Sequence, residues 1–255
     1  VTRIDPAITG PRGEPVLFGS PCLHGMLYLP AGKPRARILI VSSLFEEKRC
    51  AHRALAACAR ALAGAGAAAL IPDLAATGNS GGLPAEVCLD RWLADLRAAD
   101  DFLRARADAP LCVIGFRAGA LLAARAGLAA GRLLLWQPVL SGRSYLRQLR
   151  TRRMIQDAVT GEAPAVGPHE VEGQELSAAL FAELEALNMP ETPPPGEIHL
   201  LQCSFNTNLL TEYARLAARW GEIHLRCIIA EPCWNPHTPG DYTELIPVVV
   251  EEALC

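Results

Sequence analysis

Arg117 stands where the local pattern of the chain calls for a nucleophile. The apolar run Leu111-Cys112-Val113-Ile114 ends at Gly115-Phe116-Arg117-Ala118-Gly119, and an alanine- and leucine-rich stretch follows from Ala120 to about Gly131. Strand, G-x-?-x-G, helix is the layout of a nucleophile elbow, whose middle position normally holds a group that attacks a carbonyl. Arginine keeps its proton at any ordinary pH and offers five N–H donors and no acceptor, so it cannot attack. What it can do is hold an anion through a planar, bidentate fork, helped by the unpaired N–H groups at the start of the following helix.

The residue types leave two readings of that charge open. One is an anion-binding site at Arg117, with Glu46, Glu47 and His237 as acid–base groups beside it. The other is an internal salt bridge from Arg117 to Glu46 or Glu47. A run of arginines at 143, 147, 150, 152 and 153 lies in or beside one predicted helix, and Arg143, Arg147 and Arg150 share a helical face. A cationic face there suits an acidic sugar, a lipid phosphate or an acyl carboxylate, and equally suits plain solvation. Displaced nucleophiles are a third option. Ser42 and Ser43 end a predicted central strand, and Cys203 and Cys233 follow two others. Cys233 lies four residues before His237, a spacing open to Cys–His chemistry.

The elements that must position these groups alternate regularly. Strands are predicted at Gly25–Pro30, Ala36–Ser43, Ala67–Ile71, Leu111–Ile114, Leu133–Trp136, Glu197–Gln202 and Ile223–Ala230. Helices are predicted at about Glu47–Ala63, Ala85–Ala107, Ala120–Gly131, Leu209–Trp220 and Tyr242–Leu254. Such alternation, with continuous apolar strands such as Ile38-Leu39-Ile40-Val41, means an α/β, doubly wound, mostly parallel sheet. The rhythm breaks between Ser141 and Pro195, where two helical segments, about Ser144–Val159 and Glu175–Leu187, precede Pro193-Pro194-Pro195. The expected organisation is a core of residues 1–140 and 196–255 with a helical cap at 141–195.

With 255 residues, 51% hydrophobic and 20% charged, the chain can bury a core. A net charge of −3 gives no footprint for nucleic acid, and no apolar run is long enough for a membrane span. The start of the chain, Val1-Thr2-Arg3-Ile4-Asp5, has no signal-peptide pattern. The nine cysteines form neither a C-x-x-C pair nor a zinc spacing. Reduced thiols and a cytoplasmic setting are the expectation, with no metal and no cofactor. The expected partner is an anionic small molecule, and oligomeric state, a homodimer included, is left open.

Two motifs carry a resemblance. Asp73-Leu74-Ala75-Ala76-Thr77-Gly78-Asn79-Ser80 resembles the D-x-x-G-x-G-x-S turn after the fourth strand of many α/β-hydrolases, with Ala76 replacing the first glycine, and the elbow follows it. More narrowly, several segments resemble the second of the two hydrolase-like families named for the exosortase A system. These are Phe45-Glu46-Glu47-Lys48, Arg91-Trp92-Leu93-Ala94-Asp95-Leu96-Arg97 and Gly115 to Leu122. Leu135-Trp136-Gln137-Pro138-Val139-Leu140-Ser141-Gly142 and Val171-Glu172-Gly173-Gln174-Glu175-Leu176-Ser177 complete the set. That family's pattern also has arginine in the elbow, and its members sit near exopolysaccharide and PEP-CTERM sorting genes of Gram-negative bacteria. One departure is that the family's segment after the phenylalanine is usually longer, whereas here it reads Glu46-Glu47-Lys48-Arg49.

The resemblance implies an α/β-hydrolase fold with a cap, and it lets the Ser-His-acid triad be sought position by position. The nucleophile position holds Arg117. The acid position after Glu197–Gln202 reads Cys203-Ser204-Phe205-Asn206-Thr207, without a carboxylate, and the alternative after Trp136 offers only Gln137 and Ser141. The histidine position contains His237. Three functions remain: an atypical hydrolase-fold protein that binds, and hydrolyses or transfers, an anionic acyl- or sugar-linked molecule; a catalytically inactive scaffold or pseudoenzyme of an exopolysaccharide or sorting system; or an esterase or thioesterase using Ser43, Cys203 or Cys233.

Overall fold

A computed structural model describes residues 10–161, 167–235 and 241–255. The chain opens with two antiparallel strands, β1 (Gly13–Phe18) and β2 (Leu23–Tyr28), followed by β3 (Ala36–Val41), helix α1 (Phe45–Gly64) and β4 (Ala67–Pro72). After a single 3-10 turn at Pro84–Glu86 come α2 (Leu89–Arg104), β5 (Leu111–Phe116), α3 (Gly119–Arg125) and β6 (Arg132–Trp136). An insertion follows, made of α4 (Gly142–Thr160), the short strands β7 (Glu170–Val171) and β8 (Gln174–Glu175), and α5 (Ala178–Ala186). The chain then returns through β9 (Glu197–Ser204), α6 (Thr211–Trp220), β10 (His224–Ile229) and α7 (Leu245–Leu254).

Eight strands form one sheet in the order β1-β2-β4-β3-β5-β6-β9-β10. β2 pairs antiparallel with both β1 and β4, and every pairing from β4 across to β10 is parallel. The central strands are buried on both faces, which is why Leu111–Phe116 and Ile38–Val41 read as unbroken apolar runs. On one face α1 packs with α7. Its buried stripe Ala51, Ala54, Leu55, Cys58, Ala59 and Leu62 recurs at steps of three and four residues, placing it on one side of the helix. On the other face α2, α3 and α6 bury Leu96, Leu103, Leu121, Tyr213 and Leu216, and the core there runs on into the insertion.

Several boundaries differ from the sequence reading; α2 begins at Leu89, not Ala85, after the 3-10 turn, and the second helix of the insertion begins at Ala178, not Glu175, which lies in β8. β1 was not predicted, because its exposed Glu14 and Pro15 obscure the strand pattern; as an edge strand it tolerates a proline. α3 stops at Arg125, not near Gly131, because the chain reverses at Gly127 with φ of 67°. The last helix starts at Leu245, not Tyr242.

The insertion between β6 and β9 has two helices, as the sequence suggests, and also the β7–β8 hairpin. Its turn residues Glu172 and Gly173 take φ of 49° and 84°, the left-handed pair that a tight two-residue hairpin requires. Glu172 is thereby turned toward the rim of the sheet, where it accepts from the Glu46 amide at 3.1 Å. Among the described residues no helix is long and apolar enough to cross a membrane.

Candidate functional site

The elbow between β5 and α3 is built on close approaches that only glycine permits. A Cβ on Gly119 would lie 2.2 Å from the Val41 carbonyl oxygen, and one on Gly115 would lie 2.6 Å from Ala120 Cα. Arg117, between them, has φ of 53°, a conformation that costs a non-glycine residue free energy and that clusters at functional sites. Its backbone is pinned from both sides, the amide donating to Trp136 O at 3.0 Å and the carbonyl accepting from Val139 N at 3.1 Å. The geometry of a nucleophile elbow is thus present in full with an arginine at its tip.

The guanidinium is not open to the cap. It binds Glu47 in a two-pronged pair, Nη2 to Oε1 at 2.9 Å and Nε to Oε2 at 3.3 Å, with the two side chains only 11% and 3% exposed. The Trp234 ring lies 4.9 Å from Cζ on another side. Burial pulls the Arg117 pKa down, but the charge and hydrogen bonds of Glu47 outweigh it and hold the guanidinium above its usual range. Glu47 is fixed further by Ser43, whose hydroxyl donates to Oε2 at 2.7 Å. Tyr145 of α4 lies 3.2 Å from the same Ser43 hydroxyl and donates to Leu44 O; burial raises its phenol pKa well above normal.

From the cap, Arg152 reaches within 4.0 Å of Glu47 and forms an ion pair with Glu172. Burial raises the Glu172 pKa, and Arg152 opposes that rise. Among the described residues this network therefore sets two arginines against two carboxylates.

The other sequence candidates lie in different places. Glu46 forms an ion pair with Arg49. Arg143 and Arg147 are exposed on α4 and line neither of the two cavities described below; Arg143 faces Glu185 at 3.6 Å. The cap arginine that turns inward is Arg152, which sequence spacing did not separate from its neighbours. His237 lies outside the described residues. Asn206 follows β9 with its side chain accepting from Asn208 N, a local turn contact.

Cys203 and Cys233 are buried, and burial pushes both thiols up to about 12. Trp136 Nε1 donates to Cys203 Sγ at 3.4 Å, a packing contact. Neither residue lines the two cavities described below, and burial disfavours the thiolate that nucleophilic chemistry needs. All nine cysteines are free. Iodoacetamide at pH 8 is expected to label the exposed Cys22 and Cys255 in the native protein and Cys203 and Cys233 only after denaturation, as read by peptide mass spectrometry. Rapid native labelling of Cys233 would reverse this assignment. Among the described residues no group of three or more His, Cys, Asp or Glu side chains is arranged to hold a metal ion.

Beside the closed elbow are two open spaces. The first, of 390 Å³, runs under the cap between Ser42, Ser43 and Phe45 on one side and Trp92, Leu176 and Leu180 on the other, with Lys48 and Thr77 at one end. Its size is that of a small-molecule site, and its wall is mostly apolar. The second, of 610 Å³, opens at the edge of the sheet and is lined by His24, Tyr28, Lys48, Arg49, His52 and Asp73, among others. Ser42, Phe45, Lys48 and Gly78 belong to both walls, so the two spaces adjoin along a shared boundary, the waist.

At that waist Lys48 Nζ donates to Asp73 Oδ1 at 2.6 Å and to Thr77 Oγ1 at 3.1 Å. Asp73 Oδ2 accepts from His24 Nδ1 at 3.0 Å and from Asn79 N at 3.0 Å. Burial raises the Asp73 pKa, but Lys48 with the Asn79 and His24 hydrogen bonds overcomes it and holds the carboxyl below its usual value. Ser80, in the D-x-x-G-like turn, supports the arrangement by donating to Asp73 O at 2.7 Å and accepting from His24 N at 2.8 Å. Sequence reasoning found Asp73 through its turn but not His24. The two side chains are partners because β2 runs antiparallel to β4, with Gly25 opposite Pro72, and no local pattern announces that register.

No protein-family model matches the chain, and no curated protein matches it. Solved structures do. A hypothetical protein, PA2218, from Pseudomonas aeruginosa aligns over 100% of this chain and 98% of its own with a TM-score of 0.65 at 16% identity. XC6422 from Xanthomonas campestris, described as an α/β serine hydrolase without a lid, aligns over 98% of this chain and 96% of its own, with a TM-score of 0.61 and 16% identity. Est1E from Butyrivibrio proteoclasticus, solved with ferulic acid bound, covers 91% of this chain and 92% of its own at a TM-score of 0.60 and 16% identity. At such identities the likeness establishes the fold. The chain has the α/β-hydrolase fold, as its motifs led one to expect.

Proposed function

We propose that this protein is an atypical member of the α/β-hydrolase fold that binds an acyl-bearing small molecule with an anionic or polar end in the cavity beneath its cap. The observation that carries the reading is the buried Arg117–Glu47 pair. It occupies the elbow, where a nucleophile would otherwise stand, while the apolar cavity next to it stays open. Leu74, Trp92, Leu176 and Leu180 suit a hydrocarbon chain. Lys48, at the polar end, uses two of its three N–H donors on Asp73 and Thr77 and keeps one for a carboxylate or carbonyl oxygen. Arg117 then serves as the fixed counter-ion of Glu47. An exopolysaccharide or protein-sorting setting in the cytoplasm, suggested by the family resemblance, is the biological context we propose.

Calorimetric titration with octanoate tests this. Micromolar to low-millimolar binding is expected in the wild type, weakened by Lys48→Ala through loss of the head-group contact and abolished by Leu180→Trp, which fills the cavity. No heat of binding with octanoate, or equal binding by the filled variant, would reject the site.

A second reading rests on Ser43. Ser43 lines the same cavity and its hydroxyl donates to Glu47 at 2.7 Å, a serine hydrogen-bonded to a carboxylate that could act as its base. A fluorophosphonate probe separates the two: covalent labelling of Ser43 supports an esterase with a displaced nucleophile, and a protein that binds octanoate but takes no label supports the first reading.

A further inference from the structure

We infer that His24, oriented by Asp73, is a general base that activates water against an acyl ester lying across the waist between the two cavities. This rests on the acyl-binding reading above and adds a chemical step to it. The inference starts from the parts of the molecule which the elbow leaves unused: a His–carboxylate pair, a lysine donor and a second cavity.

A histidine acting as base needs its far nitrogen free, its near nitrogen held by an acceptor, and room for a water and a substrate bond. His24 meets these conditions. Its Nδ1 lies 3.0 Å from Asp73 Oδ2, so Nδ1 carries the proton and Nε2 is the acceptor. Among the described residues no hydrogen bond involves Nε2, and the imidazole lines the 610 Å³ cavity. Asp73 is itself immobilised by Lys48 and by the Asn79 amide. Gly78 packs so tightly there that a Cβ would lie 2.4 Å from the carboxylate. One carboxylate thus bridges His24 and Lys48, and places the base next to the donor at the waist.

An ester with its acyl chain under the cap places its alcohol part in the second cavity, beside His24, and its carbonyl at the waist. His24 Nε2 takes a proton from water as the water oxygen bonds to the carbonyl carbon. The resulting oxyanion is met by the remaining N–H of Lys48. The bond from carbon to the alcohol oxygen then breaks, and the imidazolium returns its proton to the departing alkoxide. One ester and one water give one acid and one alcohol, with no covalent intermediate on the protein. The substrate class is therefore an acyl ester, and Arg117 takes no part.

The test is turnover of p-nitrophenyl octanoate beside octanoate binding. The wild type is expected to hydrolyse the ester above the buffer rate, without a burst of nitrophenolate. His24→Ala should lose about 10²-fold or more of kcat/KM, keep octanoate affinity, and recover activity when free imidazole enters the vacated space, a rescue that a merely structural histidine would not show. His24→Gln, whose amide can still donate to Asp73, serves if the alanine variant fails to fold, with the same loss of turnover and unchanged binding expected. Octanoate binding without wild-type turnover, or full turnover in a folded His24 variant, overturns the inference and leaves the binding reading standing. Absence of octanoate binding removes both.

Discussion

Arg117→Met is expected to cost about 3–5 kcal/mol of stability, because it takes the two-pronged partner from the buried Glu47 carboxylate and leaves it the Ser43 hydroxyl and Arg152 at 4.0 Å. For a chain of this size that is a fall in Tm on the order of 10 °C. Glu47→Leu should be damaging for the mirror-image reason, leaving a buried guanidinium facing Trp234 and an apolar side chain. The double replacement Arg117→Met with Glu47→Leu should recover more than half of the loss, since two apolar side chains have no charge to desolvate. Chemical denaturation of the four proteins reads this cycle directly. Additive losses in the double variant would mean that the pair is not coupled, and the elbow would again be free to hold an outside anion.

Gly142→Ala should detach the cap while leaving the sheet intact. A Cβ there would lie 1.8 Å from the Leu184 carbonyl oxygen, at the point where the Gly142 amide donates to Leu187 O at 2.7 Å. Helices α4 and α5 must move apart to admit the methyl group, at a cost of about 1–3 kcal/mol. Because Leu176 and Leu180 form one wall of the first cavity, octanoate affinity should fall steeply. Limited proteolysis should cut within residues 142–186 before the core, with far-UV circular dichroism little changed. Unaltered proteolysis and affinity would show that the cap adjusts to the methyl group without opening.

Both effects depend on distances across the sequence, and here sequence and structure divide the work. The parallel sheet was readable because central strands buried on both faces must be continuously apolar, as Ile38–Val41 and Leu111–Ile114 are. The elbow was readable because a strand-to-helix reversal this tight admits only small residues around its tip, hence Gly115 and Gly119. Arg117 could be named, and the pairing of its charge with Glu46 or Glu47 foreseen as one of two outcomes. Helical phase on α1 then decided between the neighbours: Glu47 points into the elbow and Glu46 outward to Arg49.

What the chain could not announce was everything made by non-local register. Tyr145 and Arg152 come from the insertion, His24 from an antiparallel strand beside Asp73, and Glu172 from a hairpin turn at positive φ. Residue types state which charges exist, and local periodicity states which element carries them. Only the folded chain determines which opposite charge each meets and whether water remains between them. For this protein that difference turns the cation at the elbow from a group offered to a ligand into one paired with Glu47, and leaves the open space in the neighbouring cavities.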